Sequence, residues 1–366
     1  MKIMGNCRAR RLVLAAALSI GLGAGTHASA QERPSYLIDL NNKTVTSLGI
    51  VQAKALNDAG QVVGWSGTFE PHAFITGPNG VGMTDLGSLG GGSSTARGIN
   101  AAGQVVGESN TADGWHAFIT GPNGVGMTGL GTLGGERSRA YGINDAGQVA
   151  GWSTTADGQR HAFITGPNGV GMTDLGMLHG DSDATSINTA GQVAYTDDGG
   201  HALITGPNGV GMTGLGTLGG NYSFAFGIND AGQVVGASAR ATGRGHAFVT
   251  GPNGMGMTDL DTLSGGSGSV AFDINAAGQA VGWFRSHPTG ASHAFITGPN
   301  GVGMTDLNSL VDLPTGLVMQ SAVAINNVGQ VIVFSAVPAI PEPASYALML
   351  AGLALVSVMV RRKQEG

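Results

Sequence analysis

The chain has 366 residues, 42% hydrophobic and 11% charged, and 66 of them are glycine. Glycine usually makes up about 7% of a protein, yet so apolar a chain is not a disordered one; a regular architecture that needs glycine at fixed points fits both facts. Four of the 17 basic residues and none of the 23 acidic ones lie in residues 1–30, so the remainder carries 13 basic against 23 acidic residues. That balance speaks against a nucleic-acid binder and against charge-driven docking on anionic lipid headgroups.

Residues 1–30 have the three parts of a secretory signal peptide. Lys2, Arg8, Arg10 and Arg11 come first, an apolar run from Leu12 to about Leu22 follows, and Ala28-Ser29-Ala30 closes it. Signal peptidase is expected to cut after Ala30. Cys7, the single cysteine, leaves with the peptide, so the mature chain must be held by packing and not by disulfides.

Residues 31–337 are repetitive and read as one domain. HAFITGPNG occurs at His72, His116, His161 and His293, with HALITGPNG at His201 and HAFVTGPNG at His246. A second motif, Asn-x-x-Gly-Gln-Val (once with Ala for Val), alternates with it at Asn57, Asn100, Asn144, Asn188, Asn229, Asn275 and Asn326. Its spacing gives a period of about 45 residues, in the range of solenoid and propeller units. A unit counted from His116 predicts four short strands: HAFIT (116–120), MTGLGTL (127–133), AYGIN (140–144) and QVAGWS (148–153). Pro122 and the glycines of GPNGVG suit a tight turn, as does Asp-Ala-Gly at 145–147. No segment has the helical period over a useful length. The expected fold is all-β: a propeller of seven blades, each of four short antiparallel strands. Tyr36 to Gly49, a degenerate copy, supplies the half-unit missing before Asn57. A β-helix with two rungs per unit is the alternative; Asn-Asp-Ala-Gly at 144–147 and 229–232 favours hairpins.

Residues 338–366 form the tail. Pro341-Glu342-Pro343 precedes an uncharged run from Ala344 to Val360, and Arg361-Arg362-Lys363 ends it. As a transmembrane helix this run spans about 25 Å, with the basic cluster on the cytoplasmic side. A plain anchor is the simple reading. Together with the signal peptide, the tail resembles the PEP-CTERM sorting signal of Gram-negative bacteria, although Ile340 stands where that family often has Val. The resemblance implies processing by exosortase, a membrane protease-transpeptidase, and a bacterium that makes exopolysaccharide and often biofilm. The repeat itself resembles the extracellular HAF repeat family, which implies an exported β-repeat protein and no particular activity.

Several motifs invite a chemical reading. The six histidines lack metal-site spacing and are expected to make one structural hydrogen bond per blade to a neighbouring loop. The phenylalanines of HAF are expected in the core. GLGTLG at 129–134 and 214–219 matches a dinucleotide fingerprint, but inside a β-repeat with no helix it is a coincidence. Asp181, Asp183, Asp197 and Asp198 form no calcium loop and read as solvated turn residues. No cofactor, metal or catalytic set is expected. The loops between Gly-Gln-Val and His-Ala-Phe vary, and in or beside them lie Trp65, Trp115, Trp152, Tyr195, Trp283, Phe284 and Arg285. These are the candidate ligand-binding residues, suited to sugars or a partner protein. The expectation is a non-enzymatic scaffold at the cell surface, outer envelope or extracellular matrix, with transient inner-membrane anchoring through residues 344–360, that binds exopolysaccharide or a surface protein; a glycan-acting propeller enzyme of the envelope is the alternative. The intact mass of protein recovered from envelope and medium is expected to lack residues 1–30 and the segment after Pro-Glu-Pro. A mass retaining Ala344 to Gly366, confined to the inner membrane, would make the tail a plain anchor.

Overall fold

The computed structural model describes residues 34–176 and 182–336. They form seven four-stranded antiparallel sheets, the blades of a β-propeller. Blade 1 contains Gln52–Leu56, Val62–Ser66, His72–Thr76 and Met83–Asp85, in that order from the axis outward. Blades 2 to 6 repeat the pattern, starting at Ser94–Ile99, Gly134–Ile143, Ser182–Ile187, Gly219–Ile228 and Ser269–Ile274. A blade therefore runs from the strand before one Asn motif to the short Met-Thr strand after the following HAF strand. The unit counted from His116 straddles two blades: its HAF half completes blade 2 and its Asn half opens blade 3. A repeat can be cut at any point without changing its period, and only strand pairing reveals the phase.

Blade 7 closes the ring. Val318–Ile325 and Gln330–Ala336 are followed in the sheet by Ser35–Asp39 and Thr44–Gly49 from the other end of the domain. Ser35 pairs with Phe334 and Asp39 with Gln330. The degenerate copy before Asn57 is thus the outer half of the last blade, and two strands from each end latch the ring.

The core lies between blades. Val106, Ala117 and Ile119 of blade 2 pack on Ala140, Ile143, Val149 and Phe163 of blade 3, and equivalent clusters recur around the ring. The HAF phenylalanines Phe74, Phe118, Phe163, Phe248 and Phe295 are fully buried. Each lies across from a second-strand glycine, as in Gly151 with Phe163. A Cβ at Gly151 would sit 2.0 Å from the Arg139 carbonyl oxygen, so the glycine is a packing requirement. Blade 4 exchanges the pair: Tyr195 replaces the glycine and Leu203 the phenylalanine.

The Asn motif joins the blades at one end of the axis. Each Asn Nδ2 donates to the Gln side chain four residues on, at 2.8–3.0 Å. It also donates to the backbone carbonyl of the equivalent Asn in the next blade, at 3.0–3.3 Å. The last of these, from Asn326 to Asn57, spans 269 residues and closes the circle. In six blades a Pro-Asn-Gly turn sits on this end, its Asn in the left-handed region at φ 53–55°. In blade 1 its backbone packs on Gly60, where a Cβ would lie 2.8 Å from Asn79 N; that contact, with φ +73°, fixes the glycine of the Asn motif. Asn188→Asp replaces an amide donor with an acceptor facing the Asn229 carbonyl and the Gln192 amide oxygen. It is expected to cost about 2–4 kcal/mol, read as a lower urea midpoint with unchanged m-value.

Candidate binding site at the mouth of the axial channel

Each innermost strand carries a β-bulge at the residue three before its Asn. In blade 1 the register shifts between Ala53 and Ala55, leaving Lys54 unpaired, and the same shift recurs in every blade. A bulge re-aims a side chain. The bulged residues Lys54, Arg97, Tyr141, Thr185, Phe226, Phe272 and Val323 all line one axial cavity of about 280 Å³. The frame around them is nearly constant, with Ala before and Ile-Asn or Leu-Asn two and three after. The bulged position itself differs in every blade except for the two phenylalanines.

Blades 7, 1, 2 and 3 make the cationic side. Lys54 Nζ lies 5.0 Å from the Trp65 ring and 5.9 Å from Phe334. The Arg97 guanidinium sits between Trp65 at 5.5 Å and Tyr141 at 5.2 Å. Arg139 sits between Tyr141 at 5.9 Å and Trp152 at 5.6 Å, and Arg160 covers Trp152 at 4.4 Å. Cations and aromatic rings thus alternate across four blades, an arrangement that holds desolvated positive charge. The buried Glu108 carboxylate bridges Arg97, at 2.9 Å, and Arg139. Burial, and next the Arg97 charge, pull the Lys54 pKa below the usual lysine range.

Blades 5 to 7 make the apolar side. Phe226 and Phe272 rings meet at 5.6 Å, beside Val323. Phe226 also borders two outer grooves. One, of about 380 Å³, has Tyr222, Phe224, Trp283 and Arg285 on its walls. The other, of about 610 Å³, adds Arg160, Asp197 and Asp198. Tyr222 and Phe224 rings lie 5.4 Å apart, and Phe224 is exposed.

The residues singled out from sequence divide accordingly. Trp65, Trp152 and Trp283 occupy one equivalent place on the second strands, beside the bulge, and Trp152 is nearly buried. Arg285 is exposed next to Trp283, 5.9 Å from its ring. Trp115 lies at the start of a third strand, paired with Asn110 at the hairpin end of blade 2. Tyr195 and Phe284 are core residues, 2% and 3% exposed, and offer no surface to a ligand. Tyr195 fills the space of the missing HAF ring in blade 4, and Phe284 packs on the His293 ring at 5.6 Å. Asp197 is not a solvated turn residue either: it is buried and its carboxylate accepts from the His201 backbone N–H at 2.8 Å. Asp181 lies outside the described residues. Lys54, Arg97, Tyr141, Phe226 and Phe272 lie on the innermost strands and escape a search of the loops, but they carry a signal: a variable position inside a constant frame.

The repeat histidines face outward, away from this cavity. His72, His161, His246 and His293 meet Asp85, Asp174, Asp259 and Asp306 on the adjacent outer strand at 2.7–3.1 Å. In the units of His116 and His201, Gly129 and Gly214 stand in the place of that aspartate; His116 reaches the Glu136 carbonyl and His201 takes Asp197. The loop partner expected for each imidazole is therefore a strand carboxylate in four blades, with His72 also reaching the Gly92 carbonyl. Among the described residues, His246, Asp259 and Asp261 bring three potential ligand atoms within 4.8 Å. Arg240 already supplies a cation there, 3.0 Å from Asp259.

The fold and this geometry define a seven-bladed β-propeller with an asymmetric axial cavity. Residues 339–363 match the PEP-CTERM protein-sorting motif, which implies a chain that is exported across the membrane, processed by exosortase and sorted to the cell surface. Those residues, with Pro341, Glu342, Pro343, Arg361, Arg362 and Lys363 among them, lie outside the described residues, as do residues 1–30, where a signal peptide is expected. Among the described residues no helix is long and apolar enough to cross a membrane. No curated protein matches this chain in sequence. Among solved structures it is similar to a prolyl endopeptidase, with TM-score 0.52 and 10% identity over 72% of this chain and 44% of that one. It is also similar to an oligogalacturonate lyase in complex with manganese (TM-score 0.49, 11% identity, 79% of this chain and 89% of that one). A TolB from Acinetobacter baumannii gives TM-score 0.44 and 12% identity over 61% of this chain and 62% of that one. The chain thus spans under half of the peptidase and under two thirds of this TolB, and at such identities the likeness concerns the fold alone.

Asp273 of blade 6 also lines the cavity. Its two oxygens accept from the backbone N–H of Ile274 and, across the blade boundary, of Ile325, both at 2.9 Å. Burial outweighs these bonds and pushes its carboxyl up to about 6. The folded state therefore binds this proton more tightly than the unfolded state, and the stability it confers at low pH is lost as pH rises from about 4 to about 6. Asp273→Asn removes that loss. Relative to wild type, the variant is expected to gain about 2–3 kcal/mol between pH 4 and pH 7.5, read from urea midpoints at the two pH values.

Proposed function

We propose that the protein is a non-enzymatic binding scaffold of the cell surface or extracellular matrix, and that its ligand site is the channel mouth with the grooves that meet at Phe226. The observation that carries this reading is the variation at the bulged positions. Near-identical blades differ where their side chains converge on one cavity, which is how a repeated scaffold carries a specific site. The exposed Phe224 and the half-buried Tyr222 and Trp283 offer flat faces to sugar rings, beside Arg285 and Asp198. The tail resemblance, the HAF-repeat resemblance and the sorting motif support exopolysaccharide of the producing bacterium as the ligand, and hence a role in biofilm. The non-enzymatic reading is supported by the carboxylates near the cavity: Glu108 is held between two arginines and Asp273 by two backbone N–H groups.

The exported protein is expected to be retained on the bacterium's own exopolysaccharide, with no new reducing ends released. Phe224→Ala with Trp283→Ala is expected to weaken retention at least tenfold while leaving the melting temperature within a few degrees. New reducing ends would instead make the protein a glycan-acting enzyme, and unchanged retention would move the site elsewhere.

A further inference from the structure

Lys54 and Arg97 line the cavity; Arg139 lies behind them, and the three cations have one carboxylate between them, Glu108, paired with Arg97 and Arg139. The group thus carries a surplus of positive charge, although the mature chain as a whole is acidic. Lys54 is part-buried and has no carboxylate within ion-pair distance among the described residues. Arg97 spends Nη2 on Glu108, and its buried Nε has no hydrogen-bond partner. Asp273, the acid on blade 6, turns both oxygens to backbone N–H groups. A part-buried, unpaired ammonium is costly in a resting protein. Its cost is offset when a ligand brings the counter-charge.

The rest of the cavity narrows the ligand. Thr185, Phe226, Phe272 and Val323 face the cations with no charge of their own, and the one acid beside them, Asp273, has both oxygens taken by backbone N–H groups. The occupant must therefore present an anion on one side and a ring-like, weakly polar body on the other. The volume, about 280 Å³, is near the lower end of small-molecule sites, about 300 Å³. A carboxylate suits the Arg97 guanidinium with Lys54 as a point charge beside it.

We propose that this cavity is a carboxylate-binding subsite, built by Lys54 and Arg97 with Tyr141, that takes a uronic-acid residue of an acidic polysaccharide. The proposal rests on the surface-binding reading above and names the ligand's chemical class.

The test is calorimetry of the intact exported protein with trigalacturonic acid and with its methyl ester, which keeps the rings and loses the charge. The acid is expected to bind, the ester at least tenfold more weakly. Lys54→Met is expected to lose at least tenfold in affinity for the acid and Lys54→Arg to retain it. Lys54→Met is also expected to raise the melting temperature of the free protein, since it removes an uncompensated charge; a purely structural lysine would not behave so. No binding of the acid, equal affinity for acid and ester, or an indifferent Lys54→Met overturns the proposal. Triglutamate bound as tightly as the sugar acid also overturns it, and makes the partner an acidic peptide. Retention on native exopolysaccharide that ignores Lys54→Met defeats this subsite alone; absence of any retention defeats the broader reading.

Discussion

The asparagine side chains at one end of the axis hold the propeller's geometry together. Each amide nitrogen serves two acceptors, one in its own turn and one in the next blade, and the seventh returns to the first. Buried amides of this kind are costly when unmet, and within this circle no Asn can be satisfied without its neighbour. The hydrogen bonds therefore require a closed ring and hold its blades at an even spacing. The Gln of each motif extends the same logic outward: Gln148 of blade 3 reaches Asn208 in the Pro-Asn-Gly turn of blade 4, so neighbouring blades are tied at two radii. The latch in blade 7 serves the same end by backbone pairing: Ser35–Asp39 and Gln330–Ala336, the strands at the two ends of the domain, pair with each other inside one sheet, so neither is left as an edge.

On so repetitive a frame, function needs a place where the copies are free to differ. The β-bulge provides it. The bulged residue makes no ladder pair, so its side chain is released from the packing that fixes Ala on one side and Ile or Leu on the other. Seven such residues converge on the axis, and their chemistry divides the channel into a cationic half and an apolar half. The cations are held by rings and by one shared glutamate, Glu108, which stands at the position where three other blades carry tryptophan. Strength in the frame and variety in the channel are thus separated by a single residue along each strand.

Much of this was legible in the sequence. The period of about 45 residues, the Pro-Asn-Gly and Asp-Ala-Gly turns and the missing helical pattern defined a seven-bladed all-β ring, because these depend on local backbone preferences that each copy states again. Other features depended on which strands pair. The order from axis to rim, the division of the unit from His116 between two blades, and the union of Ser35–Asp39 with Gln330–Ala336 are properties of contacts between distant segments, and a periodic sequence carries no mark of where its unit begins. The site shows the same division. Tryptophans in or beside the variable loops drew notice by residue type; Trp65 and Trp152 stack on the cations behind the cavity, and Trp283 lines the groove outside it. Tyr195 and Phe284 drew equal notice and lie in the core, since only the cross-strand pairing of Tyr195 with Leu203 shows that its ring replaces a missing phenylalanine. Lys54 and Arg97 looked like ordinary polar residues of a strand. It took the bulge and the closing of the ring to place them side by side, because their neighbourhood is created by the axis and by no stretch of chain.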